Sequence, residues 1–217
     1  MNPFREHRAA QLVVEDRTED TAFDFFGRAA VFRQRTWIGG ADFGFVEEVA
    51  PSAFDRSLAD RDHDVVFVFN HDTSLLLARR SNGTLRLSTD AGGLLVEASL
   101  ADTTAGRDLR VLLGRGDIDG MSFAFSVRAD RWSRLPADDP QFPGQELRTI
   151  LDVDLWDVSP VTLPAYAGTS AGLRATDEAE VRALLAARPA KPPASRQRST
   201  TSARRWLSLA QSLIRDC

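Results

Sequence analysis

Residues 84–100 read TLRLSTDAGGLLVEASL, and this stretch decides the fold class. Leu85 and Leu87 alternate with Thr84, Arg86 and Ser88; beyond Thr89–Gly93, Leu94, Val96, Ala98 and Leu100 alternate with Leu95, Glu97 and Ser99. A period of two marks half-buried strands, and TDAGG supplies turn chemistry between them, so the segment predicts a β-hairpin. Two further segments alternate in the same way. In Met121–Val127, Met121, Phe123, Phe125 and Val127 form one face, with Ser122, Ala124 and Ser126 on the other. In Ile150–Ser159, Leu151, Val153 and Leu155 share a face whose next member in register is Asp157, while Asp152, Asp154 and Trp156 lie opposite. Val65–Phe69 is an unbroken apolar run of strand length. Helices are few: one over Ser52–Asp60 with Phe54 and Leu58 inward, and one capped by Thr104 and closed by Gly114 or Gly116, with Ala105, Leu109, Leu112 and Leu113 on one stripe. The pattern predicts a mostly-β, α+β chain, a barrel or sandwich with short helices around it.

The 217 residues, 43% hydrophobic and 27% charged, suffice for one well-cored domain and a tail. A formal charge of −4 hides a division: residues 1–173 carry 18 arginines against 27 acidic groups, whereas residues 174–217 carry nine basic against four acidic groups. The expected organisation is an N-terminal arm (1–22), a β domain (23–173) and a basic tail (174–217). In that tail Asp177 and Glu180 resemble a capping box for a short helix ending before Pro189. Arg188–Ala203 (RPAKPPASRQRSTTSA) has linker composition, and Trp206, Leu207, Leu209, Leu213 and Ile214 form an amphipathic stretch read as a partner-binding peptide.

Composition also narrows the chemistry. Cys217 is the one cysteine, which excludes a disulfide framework or a cysteine-based zinc site within one chain. Histidine occurs at His7, His63 and His71, and His7 lies in the charged arm, which argues against a three-histidine metal site. The first twenty residues carry charges throughout, and no apolar run reaches membrane length, so a soluble intracellular protein is expected. Three positions stand out. His71 follows the apolar strand in FNHD; Ser122 lies on a small-residue face entered through Gly120; Asp157 continues an apolar face, where a carboxylate needs a partner. They have the residue types of a Ser–His–acid triad, but each also has an ordinary structural explanation: a loop histidine, a strand serine, an aspartate capping the turn before Pro160.

Five ordered blocks carry a family likeness over about Phe25–Ser170: EEVAPSAFDRSL (47–58), VVFVFNHD (65–72) with LLLARRSNGTLRLS (75–88), GLLVEASLADTTAGRDL (93–109), RGDIDGMSFAFSV (115–127) and LDVDLWDVSPVTLPAYAGTSA (151–171). In this order and spacing they resemble the prohead (capsid maturation) serine proteases of tailed bacteriophages and prophages. The resemblance implies a β-barrel, closed or partly open, related to the herpesvirus assemblin proteases. It implies His71 as the catalytic base, Ser122 as nucleophile and Asp157 as the acid, with Asp154 and Asp152 as alternatives because relatives often read EVS where this chain reads DVS. The implied substrates are scaffolding protein, the scaffold-like extension of the major capsid protein, or the chain's own tail. The implied setting is the assembling procapsid in the host cytoplasm, with the enzyme as a homodimer and no membrane or nucleic-acid partner. A different class of function also fits the residues: a non-catalytic assembly module of the same fold, with its tail bound to capsid protein. The basic tail suggests a nucleic-acid contact more weakly, since the body is acidic.

Overall fold

A computed structural model describes residues 5–11, 23–40 and 43–162, together with Ala186. The helix expected from Asp177, the Arg188–Ala203 linker and the Trp206–Ile214 stretch lie outside the described residues. Along the chain run β1 (Glu6–Gln11), β2 (Phe25–Val31), β3 (Thr36–Gly39), β4 (Gly44–Val49), α1 (Asp55–Ala59), β5 (Val66–Phe69), β6 (Asp72–Arg79), β7 (Leu85–Thr89), β8 (Gly93–Ala98), α2 (Thr104–Arg115), β9 (Gly120–Arg134) and β10 (Glu146–Val161).

The period-two segments form the expected strands. β7 and β8 pair antiparallel as a hairpin, with Leu94, Val96 and Ala98 buried, and β2 flanks β8 to complete a three-stranded sheet. Gly93 is required there by space, because a Cβ would lie 1.8 Å from the Ala30 carbonyl oxygen across the β2–β8 pair. The remaining seven strands form a second sheet in the order β1-β9-β10-β4-β3, with the β5–β6 hairpin attached to β10. β10 is 16 residues long, enough to serve two parallel neighbours in succession: β4 along Leu147–Ile150 and β5 along Asp157–Val158.

The chain is mostly β as expected, but of the closed or partly open barrel expected, no closed barrel is formed among the described residues. The described strands divide between two sheets that share one apolar core, so closure comes from facing layers and not from a continuous ring of hydrogen bonds. Met121, Phe123, Phe125, Val153, Leu155 and Val158 meet Phe25, Leu94, Val96 and Ala98 in that core, with Phe54 and Leu109 also in it. Aromatic contacts tie the layers, Phe25 to Phe67 at 4.8 Å and Phe54 to Phe123 at 5.5 Å between ring centroids. α1 starts at Asp55, three residues after the expected Ser52, with Phe54 fully buried. The cap of α2 is Thr103, one residue earlier than expected; its hydroxyl accepts the Gly106 N–H, and Gly116 at φ 75° closes the helix.

Glu6–Gln11, which the sequence places in a charged arm, is the edge strand β1 on β9. Its attachment is ionic. Glu6 and Arg8 join Glu47 and Arg148 in a cluster in which no member is more than 3% exposed. Arg148 Nη1 donates to Glu6 at 2.8 Å and to Glu47 at 3.1 Å, and its Nε donates to Asp130 at 2.8 Å; Arg8 Nη2 donates to Glu6 at 2.7 Å. Removing one member of such a group strands buried charge. Arg148→Ala is therefore expected to cost about 3–5 kcal/mol in urea unfolding. A loss below about 1 kcal/mol would show that water reaches and solvates Glu6 and Glu47.

Candidate active site

The turn after β5 fixes the first side chain. Phe69 pairs with Asp72 across the β5–β6 hairpin, leaving Asn70 at φ 51° and His71 at φ 58° as its two loop residues. Positive φ at both positions is the requirement of a type I′ turn, and Asn and His tolerate it better than most residues. The C-terminal end of β10 holds this turn. Asn70 N–H donates to the Pro160 carbonyl at 3.1 Å, Thr162 N–H donates to Asn70 Oδ1 at 3.0 Å, and His71 N–H donates to Ser159 Oγ at 3.2 Å.

A β-bulge fixes the second. From Val153 to Leu155 the residues of β10 pair in step with β9, Leu155 facing Phe125; then Trp156 is skipped and Asp157 faces Ala124. The extra residue turns Asp157 away from the apolar face that a strict period of two assigns to it. Asp157 instead shares the face of Ser122, Ala124 and Ser126, where hydroxyl and small side chains surround it. Its neighbour Trp156 donates from Nε1 to Ser126 Oγ at 2.9 Å.

Thus three strand segments converge. His71 Nδ1 lies 2.6 Å from Asp157 Oδ1, and His71 Nε2 lies 2.6 Å from Ser122 Oγ. A carboxylate only accepts hydrogen bonds, so Nδ1–H donates to Asp157, which leaves Nε2 to accept the Ser122 hydroxyl proton. Ser122 and Asp157 are each 4% exposed, which shields the chain of hydrogen bonds from water. The two alternative acids are engaged elsewhere. Asp154 accepts from Arg56 at 2.7 Å and from Arg128 at 2.6 Å, and Asp152 accepts from Arg56 Nε at 3.0 Å. Burial alone would raise the Asp154 pKa, but the two guanidinium groups outweigh it and hold the carboxyl below its ordinary range. His63 also stands apart, with its Nε2 against the Leu155 carbonyl.

Two contributors were not singled out in the sequence. Ser159, fully buried, donates from Oγ to Asp157 Oδ1 at 3.2 Å; the Asp-x-Ser spacing on one strand was the available signal, since it places both side chains on one face. His7 sits on β1 opposite Ala124, and its ring meets that of His71 edge-on at a centroid distance of 4.3 Å. No local signal marks His7, because only the β1–β9 register brings it there. Loss of solvation, then the neighbouring His71, lower its pKa to about 4, with Asp157 opposing. Glu6 on the same strand is also depressed: burial opposes ionisation, but Arg8 and Arg148 prevail.

Both shifts weaken β1 docking in acid. In the unfolded chain His7 protonates near pH 6.5, in the folded one near 4, so the unfolded state binds more protons between these values and stability falls as pH drops through that window. Glu6 adds a further loss as pH falls below its unfolded value of 4.5. Melting temperature measured from pH 7 to pH 4 is expected to fall less steeply in His7→Gln than in the wild type; parallel slopes would show that His7 titrates normally.

A hydroxyl, an imidazole and a carboxylate in sequential hydrogen-bond contact form the arrangement that defines serine hydrolases as a class: the imidazole can take the serine proton, and the carboxylate can stabilise the resulting imidazolium. Among the described residues no group of three His, Cys, Asp or Glu side chains is placed to hold a metal, and no helix is long and apolar enough to cross a membrane. Comparison with known families narrows the class. The family model described as caudovirus prohead serine protease matches residues 10–183, and the chain belongs to that family. It is 31% identical over 113 residues to the prohead protease of Enterobacteria phage HK97, an alignment covering 52% of this chain and 46% of that protein, so the match spans about half the relative's length. No solved structure matches.

Proposed function

We propose that the chain is a serine endopeptidase of phage capsid maturation in which Ser122 is the nucleophile, His71 the general base and Asp157 the orienting acid. The observation that carries this is the pair of 2.6 Å contacts that join the three side chains through the two ring nitrogens of His71. His71 Nε2 accepts the Ser122 proton as Oγ bonds to the peptide carbonyl carbon. The resulting imidazolium gives that proton to the leaving amine as the C–N bond breaks, and water then releases the acyl group by the same relay. Asp157 holds the tautomer that makes this possible.

Family membership supports capsid-assembly proteins as substrates: scaffolding protein, the scaffold-like extension of the major capsid protein, and the chain's own basic tail. The catalytic domain spans 23–173, β1 from the 1–22 arm docks on it, and 174–217 is a tail that targets or is removed. It works as a homodimer inside the assembling procapsid in the host cytoplasm, and its fold shares ancestry with the herpesvirus assemblin proteases. No cofactor enters the reaction.

A fluorophosphonate probe tests the nucleophile directly, since Oγ–P bond formation with loss of fluoride needs an activated serine. Mass spectrometry should locate the adduct on Ser122 of the native protein. An unlabelled native protein that nonetheless joins capsid particles would favour the non-catalytic assembly module.

A further inference from the structure

We propose that Ser159 is a positioning residue of this site, holding both the His71 backbone and the Asp157 carboxylate; the role rests on the reading of Ser122, His71 and Asp157 as a proteolytic triad. One hydroxyl makes both contacts. Its O–H donates to Asp157 Oδ1 at 3.2 Å while its oxygen accepts the His71 N–H at 3.2 Å. The residue is fully buried, so water cannot replace either contact without displacing protein.

The need for such a residue follows from the turn. His71 stands at φ 58°, a region in which non-glycine residues are uncommon, and its ring must nevertheless meet two partners at 2.6 Å each. A side chain on a two-residue hairpin loop inherits every movement of that loop. The loop's amide hydrogens are therefore tied to β10, the strand that also carries the carboxylate: Asn70 N–H to Pro160 and His71 N–H to Ser159. Ser159 is the one of these ties that also touches the catalytic carboxylate. Asp157 Oδ1 accepts from the His71 ring and from Ser159 together, so the serine fixes which oxygen, in which plane, faces the imidazole. Serine suits the place because a hydroxyl combines one donor with two acceptor lone pairs.

The test uses the full chain and a fluorophosphonate probe. Ser159→Ala is expected to lower the second-order labelling rate of Ser122 roughly ten- to hundredfold, the range for losing a hydrogen bond to a charged group. It also has a signature that simple loosening lacks. Without the Ser159 O–H, more negative charge faces the imidazole and favours the imidazolium, so the pH inflection of labelling should move up. Ser159→Thr, which keeps the hydroxyl, should restore rate and inflection towards wild type. Melting curves monitor folding, and Ser159→Cys, nearly isosteric with a weak donor, replaces Ser159→Ala if the small cavity unfolds the protein. NMR titration of the His71 ring in a Ser122→Ala background reads the same shift with no reaction at all. Labelling within about twofold of wild type, or an inflection and titration that do not move, overturns the role. Labelling that survives Ser122→Ala refutes the proteolytic reading instead, and leaves the His71 titration to decide on Ser159.

Discussion

Ser122→Ala is expected to lower processing of coexpressed capsid and scaffold proteins by roughly 10⁵–10⁶-fold, on a gel from complete conversion to none. The size of the effect follows from what is removed. In the proposed reaction Oγ is the atom that forms the covalent bond, and no other side chain among those described donates a hydrogen bond to His71 Nε2 in its place. Water attack assisted by His71 alone would leave the residual rate that binding and oxyanion stabilisation give to triad-deficient enzymes. Folding should survive, because the substitution removes one buried hydroxyl and leaves β9 with its neighbours β1 and β10 intact. Processing that continues at the wild-type rate would mean that a host protease does the cutting.

Asp157→Asn should reduce processing by about 10³–10⁴-fold without moving the ring of His71 far, the magnitude that follows when an orienting acid becomes an amide. An amide nitrogen facing Nδ1 can donate but not accept. The imidazole is then driven to carry its proton on Nε2, where it must instead accept the proton of Ser122. The neutral variant also offers no charge to the imidazolium in a site only 4% exposed at this residue. Asp152→Asn and Asp154→Asn give the contrast. Their carboxylates bind Arg56 and Arg128, so processing should stay within a fewfold of wild type. Asp154→Asn should instead lower stability by about 1–3 kcal/mol, because two charge-assisted hydrogen bonds weaken. Loss of processing in Asp154→Asn with Asp157→Asn unaffected would move the acid to Asp154.

Which of the three carboxylates meets His71 is thus decided by the bulge at Trp156. In the sequence, Leu151, Val153, Leu155 and Asp157 are evenly spaced, and even spacing assigns one face. The structure skips Trp156 against β9 and places Asp157 beside Ala124, on the face of Ser122. No residue type in DLWDVS announces a bulge. Its position depends on which register lets β10 satisfy β9 on one edge and both β4 and β5 on the other.

Strands β5, β7, β8, β9 and β10 were legible from an alternation or a short apolar run: residues 84–100 became the β7–β8 hairpin, and Met121–Val127 lies within β9. The Asn70–His71 turn was legible in part, since Asn followed by His between an apolar run and an aspartate suits positive φ, although the same letters suit an open loop. β1 was not legible. EHRAAQ carries charges at Glu6 and Arg8, which in isolation predict exposure, and they are buried because Glu47 and Arg148 on other strands neutralise them.

By itself, then, the sequence determined the β class, the hairpin and the two helices, all of which follow from local periodicity, whereas Ser122, His71 and Asp157 stood out as a set only through the family resemblance. Whether the sheets closed into a barrel, which carboxylate met His71, and that Ser159 and His7 lie against the same site were decided by the tertiary structure alone. Those outcomes depend on register between strands as far apart as β1, β5, β9 and β10, and a one-residue shift in register moves a side chain to the opposite face without changing any local preference.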